Sequence, residues 1–177
     1  MELAELLVKR QSERNYSPEK VSREEITRCL EAARIAPSAC NSQPWKFVVI
    51  DDPEKVEAIA KATMQLGLNR FSAQVPVFVA VIQENMNFTA KVGSRLNDKD
   101  FSLIDMGLAV HAFCLQAAEI GLGTCIMGLF DEKKVKEMID APSNRRVQLL
   151  LALGHPTGVH REKIRKPLEE MSSWNEY

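Results

Sequence analysis

Cysteine is scarce: Cys29, Cys40, Cys114 and Cys125 are the only four in 177 residues, widely spaced and without a C-x-x-C pair. A disulfide framework is therefore not expected, and the mixed acids and bases of the first residues do not read as a secretory leader. The expected compartment is the reducing cytoplasm. An excess of one charge is absent too. Twenty-three Lys and Arg stand against twenty-four Asp and Glu, a net charge of −1, which argues against nucleic acid as a partner. The longest hydrophobic run, Leu103 to Ile120, is broken by Asp105, His111, Gln116 and Glu119. Their cost inside a bilayer makes a membrane span unexpected. Eight Gly and eight Pro, with no repeat or low-complexity tract, leave an ordinary globular composition, and one domain is expected over residues 1–177.

Several catalytic signatures are missing as well. There is no G-x-x-x-x-G-K-[ST], H-E-x-x-H or G-x-S-x-G, and His111, His155 and His160 have no partners at metal-ligand spacing. Phosphate-loop, zinc-hydrolase and serine-hydrolase chemistry lose their support, and no metal is expected. His111 falls on an apolar helix and reads as a satisfied core histidine. The run Gly121-Leu-Gly-Thr-Cys-Ile-Met-Gly128 opens like a dinucleotide fingerprint. Ile126, however, stands at the third glycine position, and the run follows a helix instead of a strand.

The residues that are present alternate between helical and strand patterns. Leu3, Leu6 and Leu7 share a helical face that ends near Arg10, and Ser22 with Glu25 forms a capping box for a helix running to about Ala36. Trp45 to Ile50 reads as a strand, and Asp52 and Pro53 then cap a helix with Val56, Ile59, Ala60 and Thr63 on one face. Pro76 to Ile82 is a second strand. The stretch from Glu84 to Asp100 has no persistent period and reads as a loop or lid. Phe101 to Glu119 predicts a central helix, apolar nearly all round, with Gly121 as its cap. A short strand from Thr124 to Phe130, a helix from Asp131 to about Asp140 and a strand from Val147 to Leu153 complete the pattern.

Three polar segments lie where a plain loop has no need of them. Arg10, Ser12 and Arg14 alternate, so an extended backbone aims all three one way, as a phosphate and its sugar would require. Pro37-Ser-Ala-Cys-Asn-Ser-Gln-Pro-Trp45 offers amides that suit a heteroaromatic edge. Arg161 to Lys166 packs four basic residues into six.

Together these segments resemble the FMN-dependent nitroreductase family. The resemblance rests on R-x-S-x-R at Arg10, P-S-x-x-N-x-Q-P-W at Pro37, D-x-G-x-A at Asp105, Gly107 and Ala109, G-L-G-T at Gly121, and K-x-R at Lys163. It implies an α+β three-layer fold, with a mixed central sheet, helices on both sides and a long buried central helix, assembled as a homodimer with FMN at the interface. It also implies NAD(P)H as electron donor and nitroaromatics, quinones or related small molecules as acceptors. A dehalogenase, an enoate-type reductase or a non-catalytic flavin-binding protein is the alternative. By the same resemblance, Arg10, Lys163 and Arg165 bind the FMN phosphate, with Gln11 and Ser12 beside it, and Arg14 meets the N1/C2 edge of the ring. Pro37, Ser38, Ala39 and Asn41 cover the partner's flavin with Gln43 and Trp45 supporting that loop, Asn69 meets the pyrimidine edge, and Cys125, Ile126, Met127 and Gly128 pass the ring near N5. No side chain is expected to serve as an obligatory catalyst.

Overall fold

The computed structural model describes residues 2–177, the Leu66 side chain excepted. Helix α1 (Leu3–Lys9) is short and exposed, and α2 (Arg23–Arg34) starts at the expected capping box, Ser22 Oγ accepting the Glu25 N–H at 3.2 Å. Strand β1 (Trp45–Ile50) leads into α3 (Pro53–Thr63), whose N-cap is Asp52. Strand β2 (Val77–Gln83) is followed by α4 (Phe88–Leu96) and α5 (Phe101–Glu119). Strand β3 (Gly123–Met127), α6 (Glu132–Met138), β4 (Arg146–Gly154) and α7 (Leu168–Met171) close the chain.

The sheet runs β1-β2-β4-β3, and all three strand pairings are antiparallel. The mixed character expected of it comes down to one parallel bridge, Ser12 beside Thr124 on the outer edge of β3. β2 and β4 read as continuous apolar runs because both faces are covered. Phe78, Ala80, Ile82, Leu150 and Ala152 pack toward α3 and α6, whereas Val77, Val79, Val81, Leu151 and Leu153 pack toward α2 and α5. Three layers follow from this alternation. Helix α5 ends in a Schellman motif: Leu122 N–H donates to the Ala117 carbonyl at 2.8 Å and Gly121, at φ +89°, to that of Ala118 at 3.3 Å.

Two expectations need correction. The Glu84 to Asp100 stretch is not a loop throughout, since Asn87 caps α4 by accepting the Ala90 N–H at 2.9 Å. Its apolar stripe, Phe88, Val92 and Leu96, is exposed and only Ala90 is buried, so no buried face marks this helix. His111 is likewise no core residue. It stands exposed on the face of α5 that also carries Leu103, Ile104 and Leu108, while Met106, Val110, Phe113 and Cys114 form the buried face.

Candidate active site

The Arg10 to Arg14 segment lies along the free edge of β3. Ser12 bridges Thr124, and Glu13 N–H donates to the Thr124 carbonyl at 2.9 Å. Glycine at position 123 permits this approach, because a Cβ there would meet Glu13 Cγ at 2.6 Å. The segment's far end is fixed by Tyr16, a buried side chain whose hydroxyl donates to the Glu13 carbonyl at 2.9 Å. Burial, with nearby Cys125 and Glu13, drives the Tyr16 pKa upward, so this hydroxyl keeps its proton.

The basic tail returns to the same edge. Lys163 Nζ donates to the Arg10 carbonyl, Arg161 Nη2 to the Ser12 carbonyl at 3.0 Å, and the Arg161 N–H to Gln11 Oε1 at 3.1 Å. Gln11 is thereby a clamp, since its amide nitrogen also donates to Glu13 Oε1 at 2.8 Å. Desolvation, then the charges of Arg10 and Arg165, hold the Lys163 ammonium below the usual lysine range. Three cations from opposite ends of the chain thus crowd together, and no carboxylate among the described residues pairs with any of them. A cleft of about 130 Å³ opens between Arg10, Glu13, Gly121 to Thr124 and His160.

From there β3 extends the surface. Cys125 and Met127 point into the core, whereas Ile126 is 43% exposed. Gly128 has open space where a side chain would stand. Arg14 lies 6.0 Å from the Phe71 ring centre and close enough to Cys125 to act on its thiol. Asn69, in the left-handed conformation at φ 51°, donates through Nδ2 to the Thr63 and Leu129 carbonyls, each at 3.3 Å. Its amide therefore sits beside the exit of β3.

The Pro37 to Gln43 loop is elsewhere. Ser38 is extended, while Cys40, Asn41 and Gln43 all take positive φ near 50°, conformations unfavourable for residues with a Cβ. Asp105, buried on α5, accepts the Ala39 N–H at 3.1 Å to each carboxylate oxygen. Asn87 Nδ2 donates to the Cys40 carbonyl at 2.9 Å, the Asn87 N–H donates to Ser42 Oγ at 2.8 Å, and the Gln43 amide donates to Asn41 Oδ1 at 3.0 Å. The loop precedes β1, at the sheet edge opposite β3, which is three strand spacings or about 14 Å away. Asp105 and Ala118 are separated by about 20 Å of helix. One chain holds both halves of the expected site but does not bring them together.

Asp105 and Asn87 escaped the sequence reading as loop anchors. Asp105 was visible only as part of a motif, and the one signal for Asn87 is its residue type, a good N-cap three residues before Ala90.

The fold and its edge site define a class: three-layer α+β proteins that carry a cationic cradle beside an open strand. The chain belongs to the nitroreductase family, whose sequence profile matches residues 7–155. It is 24% identical to an FMN reductase [NAD(P)H] of Bacillus subtilis, over 99% of this chain and 74% of that protein. It is 27% identical to an iodotyrosine deiodinase of Thermotoga neapolitana, over 87% of this chain and 88% of the other. A solved nitroreductase family protein from Clostridium difficile superimposes with a TM-score of 0.81 at 27% identity, over all of both chains.

Proposed function

We propose that this protein is an FMN-dependent oxidoreductase that takes electrons from NAD(P)H and passes them to nitroaromatics, quinones or related electron-poor acceptors in a ping-pong cycle. The observation that carries this reading is the meeting of Lys163 with Arg10 at the β3 edge, with Arg165 near enough to act on the Lys163 charge and no carboxylate within 4.0 Å of any of the three among the described residues. Such a site is built for an anion, and the two arginine forks suit a phosphate. The residues fit the cofactor's other parts as well. Ser12 offers a hydroxyl beside the cradle, and the exposed Ile126 and the open space at Gly128 leave room along β3 for a flat ring. Asn69 Oδ1 is available to accept from an imide N–H, its Nδ2 being spent on two carbonyls.

FMN, when bound, supplies the acceptance of two electrons from the dinucleotide and their release to the second substrate. The protein's part is orientation and charge. Arg14, at the ring's N1/C2 edge, favours electron density arriving there. Gln11 holds the tail that carries Lys163, and Asp105 holds Ala39.

The separation of the two half-sites supports a homodimer in which Pro37 to Gln43 of one copy covers the cradle of the other. The uncovered apolar face of α5, with Leu103, Ile104 and Leu108, is the surface through which the copies meet. Reductive removal of a halide is the second reading, favoured by the deiodinase likeness.

The experiment is reconstitution. The protein should purify yellow or take up FMN, bleach when NAD(P)H is added without oxygen, and recolour with a nitroaromatic or quinone. Recolouring only by a halogenated phenol would select the second reading. A protein that takes up no FMN would overturn both.

A further inference from the structure

Beside the Pro37 to Gln43 loop lies a polar cavity of about 630 Å³, walled by the segment after β2, by α4 and by the start of β4. That is within the size range of ligand pockets. Its charges are unevenly satisfied. Arg145 pairs with Glu84 at 2.9 Å and Arg146 with Glu132 at 2.8 Å. The Asp100 carboxylate accepts from the Ser102 N–H at 3.0 Å and from Gln83 Nε2 at 3.1 Å. What remains is Lys91, Arg95 and Lys99 against Asp98 and Asp100, an excess of one positive charge, and none of these three cations has a carboxylate within 4.0 Å among the described residues.

The three are also placed together. Lys91 and Arg95 lie one turn apart on one side of α4, and Lys99 follows where its N–H donates to the Ser94 carbonyl at 3.0 Å. Like charges at this spacing repel, and a doubly charged anion relieves that repulsion. Position adds to charge. Asn87, at the head of α4, is bonded to Cys40 and Ser42 of the loop. From Asn87 to Arg95 the helix rises about 12 Å, which puts the cations at a distance from the loop that an extended dinucleotide can span.

We propose that Lys91, Arg95 and Lys99 form a phosphate-reading site for the electron donor, selecting NADPH over NADH through its 2′-phosphate. This rests on the oxidoreductase reading and deepens it, because the Pro37 to Gln43 loop there covers the partner copy's flavin. A nicotinamide under that loop sends its adenosine end along α4, where the extra phosphate meets one arginine fork and two ammonium groups. NADH lacks that phosphate and so lacks this contact.

The test compares the FMN-loaded wild type with the triple variant Lys91→Ala/Arg95→Ala/Lys99→Ala, whose side chains are exposed and make no core contact. Anaerobic flavin bleaching by NADPH and by NADH is followed across salt concentrations. The wild type should prefer NADPH, the preference should weaken with salt, and the variant should lose about tenfold or more of its kcat/KM for NADPH relative to NADH. A second measurement needs no turnover: calorimetric binding of 2′-phospho-ADP-ribose and of ADP-ribose to the loaded protein. The former should bind more tightly to the wild type and equally to the variant. A selectivity ratio unchanged by the substitutions, or equal binding of the two nucleotides to wild type, overturns the proposal and leaves the cations as the electrostatic complement of the α4 C-terminus. Failure of the wild type to bleach with either dinucleotide is a different result. It overturns the oxidoreductase reading, and this proposal with it.

Discussion

The Asp105 carboxylate accepts the backbone N–H of Ala39 with both oxygens at 3.1 Å, joining the first turns of α5 to a loop with three residues at positive φ. The carboxylate is buried. Removing it leaves a donor without its acceptor and frees the strained loop.

Asp105→Ala should therefore lower unfolding stability by about 1.5 to 3 kcal/mol, the range for losing a charged hydrogen-bond acceptor, here to a half-buried donor. Asp105→Asn, which keeps one acceptor oxygen, should lose less. Urea unfolding of the three proteins measures this. Equal stability of Asp105→Ala and wild type would show that the loop holds its shape without the carboxylate.

The cation cradle makes a separate prediction. Arg10→Ala combined with Arg165→Ala should weaken FMN binding by about 3 to 6 kcal/mol if each arginine contributes about 1.5 to 3 kcal/mol of charge-assisted bonding. That is at least a hundredfold in the dissociation constant, since every 1.4 kcal/mol is about tenfold. Flavin fluorescence titration reads it directly. Unchanged affinity would contradict the assignment of the phosphate.

Much of this was legible in the sequence because local rules and tertiary packing agree. The alternation of Arg10, Ser12 and Arg14 aims all three one way only on an extended backbone, and the Ser12 bridge to Thr124 is what extension looks like at a strand edge. The apolar runs of β2 and β4 announced strands covered on both faces, but not their order, because pairing between distant segments leaves no periodic mark. Helix α4 failed to register because Phe88, Val92 and Leu96 are exposed, and the burial that makes an apolar period meaningful is missing from this chain alone. Asn69 was named by likeness alone. Only the structure shows that its Nδ2 is spent on two carbonyls.

Lys163 gives a pH prediction for the FMN-free protein. Its pKa lies below the ordinary lysine value because of desolvation and the charges of Arg10 and Arg165. The unfolded chain then binds more protons at this residue than the folded one between the two values, so this residue's contribution to stability rises with pH across that window. Lys163→Met should raise the melting temperature of the FMN-free protein at neutral pH and flatten that rise. The same variant should bind FMN more weakly. Melting curves of both proteins without FMN, over a pH series into the lysine range, check this. A variant less stable than wild type at neutral pH would mean that the hydrogen bond to the Arg10 carbonyl outweighs the crowding.

The buried thiols point the other way. Desolvation pushes Cys29 up to about 12 and raises Cys114 and Cys125 as well. A raised folded pKa gives stability that is fully present below the ordinary thiol value and lost as pH climbs toward the folded one. Iodoacetamide at pH 8 should leave these three cysteines unmodified in the native protein and label them after unfolding, as read by peptide mass spectrometry. Native labelling at Cys125 would show that the β3 edge opens readily.

The exposed face of α5 decides whether one chain can work alone. Ile104 is 55% exposed and Leu108 44%, one turn apart on a helix whose opposite face is buried. Gly107 between them has open space where a Cβ would stand, leaving a shallow surface that another helix can approach closely. Placing a charge there costs the isolated chain almost nothing, because the side chain already faces water. In a dimer it buries an unpaired charge in the contact, which is strongly unfavourable. Ile104→Arg should therefore shift sedimentation from dimer to monomer while leaving circular dichroism of the folded chain unchanged. It should also weaken FMN retention, although Ile104 is far along α5 from Arg10, because in the proposed dimer the Pro37 to Gln43 loop of the other copy covers the cofactor. A monomeric variant that retains FMN as tightly as wild type would show that the β3 edge holds the cofactor unaided. A variant that stays dimeric would place the contact on another surface.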